Sequence, residues 1–297
     1  MRWDDSRESE NVEDRRDEGG GYSGGGGFGG FGIPIGGGGL SIGTIVVLGI
    51  LAYAFGINPL ALLEGYETFD NRPLPQAQHA SRPPHDQLGR FVSAVLGQTE
   101  DVWRQVLPAQ TGVRYEEPHL VLFTGATRSG CGTAQSAMGP FYCPLDRKVY
   151  LDLSFFAAMR TRLGGGGEFA EAYVIAHEVG HHVENLLGIL PRVQTMQRNA
   201  DRAQANALSV RVELMADCLA GVWAANADKR WRILEQGDVE RAVATAQAIG
   251  DDTLQRQAQG HVVPDSFTHG SAQQRVRALM TGLKTGQVAA CDTFKRS

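Results

Sequence analysis

His177-Glu178-Val179-Gly180-His181 combines two imidazoles and a carboxylate at a spacing that suits one metal ion. On a helix, residues i and i+4 lie one turn apart on the same face, so both histidines reach a common point. Glu178, one residue after the first histidine, can approach a water at that point without being a ligand. That is the arrangement of zinc-dependent peptide hydrolysis, with the carboxylate as general base. The surrounding Ala170 to Leu187 is apolar at helical period, which places the motif on a buried helix.

Two histidines leave a tetrahedral ion two positions short, and a catalytic site wants a third protein ligand and one open place. Glu213-Leu-Met-Ala-Asp217 supplies candidates on a later helix, with the small Ala216 and Ala220 permitting close approach. Glu213 and Asp217 share a face at i, i+4. Glu213 is expected to bind the ion, while Asp217 accepts a hydrogen bond from the free ring nitrogen of a ligand histidine and fixes its tautomer. The alternatives are the reverse assignment, with Asp217 as ligand, and a solvated acidic face paired with Arg211.

Of the other histidines, His182 sits about 140° around the helix from His177, so it is expected to hydrogen-bond elsewhere. His79 and His85 fall in a polar stretch and His119 flanks a strand, places where histidines are ordinary. His269, in the polar loop Asp265-Ser-Phe-Thr-His-Gly270, is a candidate to stabilise the oxyanion formed when water attacks a carbonyl. Its bland alternative is a loop that caps the next helix.

These residues need elements to hold them. Helical period starts near Asp86 and runs through Leu88, Phe91, Val92, Val95 and Leu96 to Leu107. Strands are expected at His119–Phe123 and Lys148–Leu153, the second a candidate to pair with an extended substrate. Between them Gly130 to Cys143 is turn-rich. A short helix at Phe155–Arg162 stops at the glycines from 164 to 167, just before the motif helix. Helices follow over Ala203–Ala225, Asp238–Ile249 and Ala272–Leu283. No internal repeat is visible. A few strands ahead of a helical majority give an α+β class, mostly helical with a small β-sheet, over residues 85–297.

The first 84 residues differ in kind. Met1 to Glu18 carries eight acidic side chains against four arginines, and 14 of the 38 glycines fall between Gly19 and Gly39. Residues 1–39 are therefore expected to be a disordered tail. Leu40 to Ile57 is an uncharged apolar run of 18 residues, resumed at Leu60-Ala-Leu-Leu63. It is long enough for a bilayer span and lies too far from the start for a signal peptide, so residues 40–63 are expected to be a single-pass membrane anchor. A buried hairpin helix is the rival. Arg15-Arg16 is distant from the run and orients it weakly. Residues 64–84, rich in Pro, Gln, Asn and Arg, form the expected linker.

Beyond the apolar run, 24 Lys and Arg face 25 acids, with no basic stripe, which argues against nucleic acid as a partner. Four cysteines without a C-x-x-C pair argue against a cysteine metal site and for two disulfides in an oxidising compartment, periplasmic or extracellular. Three connectivities are possible. The short loop favours Cys131–Cys143, leaving Cys218–Cys291. Four free thiols facing the cytosol are the alternative.

The chain resembles the bacterial putative neutral zinc metallopeptidase family. The resemblance lies in Met1-Arg-Trp-Asp-Asp-Ser-Arg7, Cys131-Gly with Gly139-Pro-Phe-Tyr-Cys143-Pro, Val149-Tyr-Leu-Asp-Leu-Ser-Phe155, Ala176-His-Glu-Val-Gly-His-His182, Glu213-Leu-Met-Ala-Asp-Cys218 and Ser266-Phe-Thr-His-Gly270. It implies a membrane-anchored protein with a zincin-like fold, a Zn2+ cofactor and endopeptidase activity on polypeptide substrate. It also supports Glu213 as ligand and Asp217 as its support. The competing expectations are a catalytically silent, metal-stabilised membrane scaffold, disfavoured by the intact Glu178, and a zinc hydrolase of a non-peptide bond.

Overall fold

The computed structural model describes residues 1–17, 84–162 and 166–295. The sheet starts in the expected tail. β1 (Val12–Asp14) precedes α1 (Gln87–Thr111), β2 (His119–Phe123), the hairpin of β3 (Ala126–Ser129) and β4 (Gly132–Gln135), β5 (Phe141–Cys143) and β6 (Lys148–Asp152). Four strands lie in the order β1-β2-β6-β5, with β1, β2 and β6 parallel and β5 antiparallel to β6. Both faces of the central pair are covered, hence the continuous apolar runs. At period two, Leu120, Leu122, Val149 and Leu151 join the main helical core. Val121, Phe123 and Tyr150 face the opposite way, toward Ala134 and Cys143. The Cys131–Cys143 disulfide, Cα atoms 5.8 Å apart, ties the hairpin to β5.

Two expectations are corrected here. Residues 1–17 belong to the fold instead of forming part of a disordered tail. Their few apolar side chains, Met1, Trp3 and Val12, are all buried. Their charges find partners on the domain, as in Arg7 with Glu100 at 2.6 Å and Glu13 with Lys148 at 2.6 Å. Composition misleads because those partners lie some hundred residues away. Secondly, β6 is an inner strand with both edges hydrogen-bonded, so it has no edge to offer a substrate. The rest of the expected tail, the expected anchor over 40–63 and the linker up to residue 83 lie outside the described residues. Among the described residues no helix is long and apolar enough to cross a membrane.

The helical majority follows as α2 (Ser154–Arg162), α3 (Glu168–Leu186), α4 (Ile189–Gln197), α5 (Arg202–Trp231), α6 (Asp238–Ala248), α7 (Asp251–Gln259) and α8 (Ala272–Thr285). Capping boxes start α5, at Asp201 with Gln204, and α8, at Ser271 with Gln274. α3 packs on α1, β5, α5 and α6. α5 and α8 cross where Gly221 faces Gly282, and Cys218–Cys291 closes the same region. A Cβ at Gly282 would stand 1.8 Å from the Cys218 carbonyl oxygen. Gly282→Ala gains helix propensity of about 1 kcal/mol but forces two backbones apart. The expected net loss is at the upper end of overpacking, about 3 kcal/mol. That is roughly 6–12 °C in melting temperature for a domain of this size, measurable by thermal denaturation. An unchanged melting temperature would refute the close crossing.

Candidate metal centre

α3 carries His177, Glu178 and His181 on a helix buried along almost its whole length. Gly180, inside the motif, lets α5 come close, since a Cβ there would lie 3.0 Å from the Ala216 carbonyl oxygen. That approach brings Glu213 over the histidine pair. Its Oε2 is 3.2 Å from His177 Nε2, and its Oε1 is 3.6 Å from His181 Nε2. One ligand atom from each of the three lies within 4.8 Å of the others.

The donor set fits a zinc ion. Ligands about 2.0–2.1 Å from one tetrahedral ion stand roughly 3.3 Å apart, close to the spacings here. Each imidazole turns Nε2 inward because a carboxylate holds its Nδ1. His177 Nδ1 is 2.9 Å from Asp217 Oδ1, and His181 Nδ1 is 2.8 Å from Glu184 Oε2. With Nδ1–H donating, Nε2 keeps its lone pair for a cation.

Electrostatics point the same way. Burial pulls the His177 pKa down, yet the hydrogen bond and charge of Asp217, followed by Glu213, hold it up to about 10. A field that favours a proton there also favours a metal ion, and the two compete. Burial would raise Asp217, but Arg275, then His177, keep it well below the usual carboxylate range. Arg275 grips Asp217 with two donors, Nε to Oδ2 and Nη2 to Oδ1, both at 2.8 Å. The Tyr173 hydroxyl donates to Oδ1 at 2.5 Å. Burial pushes Glu184 up to about 7, opposed by His181. Burial also raises Glu178, with the charge of Glu213 adding to it against the two histidines. The Glu178 carboxylate has no hydrogen-bond partner among the described residues.

His269 comes in from the loop before α8. The Asp251 carboxylate at the start of α7 accepts the N–H groups of Thr268, His269 and Gly270 at 2.8, 2.7 and 3.0 Å, which fixes the loop. Its other oxygen is 3.3 Å from His269 Nδ1. Burial lowers the His269 pKa, but Glu213 and Asp251 outweigh it, so His269 stands close enough to the cluster to feel Glu213. The side chain is 33% exposed and that of Glu213 is 18% exposed, which puts the open side of the cluster there.

The sequence match is decided over almost the whole chain. Residues 1–294 match the family described as Putative neutral zinc metallopeptidase. The chain belongs to that family. It is 50% identical over 297 residues to Uncharacterized protein YpfJ of Escherichia coli (strain K12), covering 100% of both chains. It is 44% identical over 213 residues to Uncharacterized protein Rv2575 of Mycobacterium tuberculosis (strain ATCC 25618 / H37Rv), covering 68% of this chain and 69% of that protein. No solved structure matches it. The family match starts at residue 1, consistent with β1 lying inside the fold.

In this metallopeptidase-family chain, His177, His181 and Glu213 converge as their spacing suggests, with Asp217 behind His177 and Glu178 beside them. Sequence reasoning missed Glu184, Arg275, Tyr173 and Asp251. Glu184 stood three residues after His181, a neighbour position on a helix, and was the most findable. Tyr173, one turn before His177 on the same helix, had that neighbour position too, whereas Arg275 and Asp251 reach the site from distant parts of the chain with no local signal.

His182 points elsewhere, as its helical angle requires. Its Nε2–H donates to the Glu116 carbonyl at 2.6 Å, and its Nδ1 lies 3.0 Å from the Tyr142 hydroxyl. That is a satisfied neutral imidazole. Burial pulls its pKa to about 4, from 6.5 for a free histidine. Between those values the unfolded chain binds the proton and the folded chain does not. The stabilisation is complete above about pH 6.5 and is lost as pH falls toward 4, by up to roughly 3 kcal/mol. In chelated protein, the difference in unfolding free energy between the parent and His182→Gln should narrow across that window. A constant difference would sink the assignment.

Proposed function

We propose that this chain is a membrane-attached, zinc-dependent endopeptidase with a zincin-like helical core, working in an oxidising, extracytoplasmic compartment. The observation that carries the reading is the convergence of His177 Nε2 and His181 Nε2 on the Glu213 carboxylate, beside a buried, unbonded Glu178. His177, His181 and Glu213 would hold Zn2+, while Asp217 and Glu184 orient the rings. Zinc supplies a lowered pKa for the attacking water and polarisation of the scissile carbonyl. Glu178 takes the water's proton and delivers it to the leaving amine, a task suited to a carboxylate whose pKa burial has raised. Asp251 holds His269 through Nδ1, which leaves Nε2 free to donate to the carbonyl oxygen as charge develops. An extended polypeptide has β5, the outer strand packed on α3, to pair with in place of β6. The two disulfides support the compartment, and the apolar run from 40 to 63 supports membrane attachment.

The full chain in detergent should carry about one zinc per chain. It should cleave unfolded casein, stop on chelation and recover when zinc is returned. A full zinc complement without cleavage would leave a metal-stabilised scaffold. Cleavage of esters but no peptide would leave a different hydrolase.

A further inference from the structure

The two flanks of the apolar segment are fastened to each other. On the upstream side β1 runs in parallel register with β2, Val12 opposite Leu120 and Asp14 opposite Leu122. Arg15 continues the ladder, its N–H donating to the Leu122 carbonyl at 2.8 Å. Trp3 is buried with its ring edge-on to Phe91 of α1, centroids 5.4 Å apart. Glu100, buried in α1, accepts from Arg7 at 2.6 Å, Ser9 at 2.5 Å and Asn11 at 2.8 Å. On the downstream side, Asp86 caps α1 through the Gly89 N–H and meets Arg16 Nη2 at 2.5 Å. The chain thus leaves the fold beside Arg16 and returns beside Asp86, at one point of the surface.

A segment that crosses a bilayer once puts its flanks on opposite faces. β1 could not then pair with β2, because strands hydrogen-bond only within one compartment. Two helical crossings are not available either. They need roughly 40 apolar residues, about 20 for each. From residue 19 to residue 63 there is no charge, but 14 glycines occupy the stretch from Gly19 to Gly39, and only the run from 40 to 57 has the composition of a span.

We propose that the chain makes no net crossing of the bilayer between Asp17 and Pro84. Residues 1–17 and the metal centre then lie on one side, closed at the base by Arg16–Asp86. The inference rests on the membrane-attached reading above and replaces the single-pass anchor expected from hydropathy. Counting charges across the run says nothing about orientation under this topology, because both flanks share a face. The acidic N-terminal segment must reach the same compartment as the disulfides.

The test is side-specific labelling of the full chain in sealed membrane vesicles of known orientation. Glu10→Cys and Asp5→Cys place exposed thiols in the N-terminal segment, and Gln257→Cys places one on α7. The parent, whose four cysteines form two disulfides, is the blank. With a membrane-impermeant maleimide, all three variants should be labelled to the same extent on the same side, without detergent. N-terminal thiols that react only after detergent while Gln257→Cys reacts before it, or the reverse, would overturn the proposal. Flotation supplies the second readout. Protein that fails to float with the lipid would overturn membrane attachment itself, whereas opposite-side labelling of floated protein overturns only the absence of a net crossing.

Discussion

Glu178→Gln should leave zinc bound at about one ion per chain and lower the hydrolytic rate by on the order of 10^2–10^4-fold. Glutamine keeps the length and hydrogen-bonding capacity of the side chain but cannot accept the water's proton. Because the Glu178 carboxylate bonds none of the described residues, its replacement should not disturb the packing of α3, and the melting temperature should stay with that of the parent. The loss should fall on kcat, with little change in KM, since the group acts on the water and not on substrate binding. Three measurements decide it together: zinc content, thermal midpoint and the kcat–KM split. Parent-like cleavage by Glu178→Gln would remove the general base from the mechanism. Loss of zinc would instead make Glu178 a ligand.

The helical half of this arrangement was legible because it is local. α3, α6 and α8 announce themselves by apolar period, and α5 and α8 by the capping boxes that open them. His177, His181 and Glu178 follow from helical spacing alone. Glu213 and Asp217 follow from the same spacing on a second helix, once small residues are seen to allow contact. The rest depends on distant partners. β1 is three residues of acidic sequence that become a strand because β2 offers an edge. α4 was hidden by Gly188 and Pro191, which look like a loop, but Pro191 lies in the first turn, where a missing N–H costs little. α7 has Leu254 and little else apolar, and it is fixed by Asp251 bonding the 268–270 loop. The inner position of β6 is a property of the sheet and not of its residues. Cys131–Cys143 could be chosen from loop length, whereas Cys218–Cys291 had only elimination to recommend it.

Glu213 and Asp217, one helical turn apart, should fail in opposite ways. Glu213 sits on the open side of the cluster, and its carboxylate faces both inward-turned Nε2 atoms. Glu213→Ala should therefore lose zinc, beyond the roughly 10–100-fold loss of affinity typical of a supporting carboxylate. The metal-free fold should lose less than it does with Asp217, since His177, His181 and His269 each keep a second carboxylate partner in Asp217, Glu184 and Asp251. Asp217 is fully buried and tied to Arg275, Tyr173 and His177. Asp217→Ala frees the His177 ring and weakens zinc by about 10–100-fold. It also strands the Arg275 guanidinium, 4% exposed, without its partner. Breaking a buried pair in this way costs on the order of 3–5 kcal/mol. Zinc affinity should thus rank Asp217→Ala above Glu213→Ala, and stability of the chelated protein should rank them in reverse. Competition with a chromophoric chelator reads the first order, and urea unfolding of the metal-free chains reads the second. If both rankings invert, Asp217 is the ligand and Glu213 the support. If Glu213→Ala binds zinc as the parent does, the third ligand lies elsewhere.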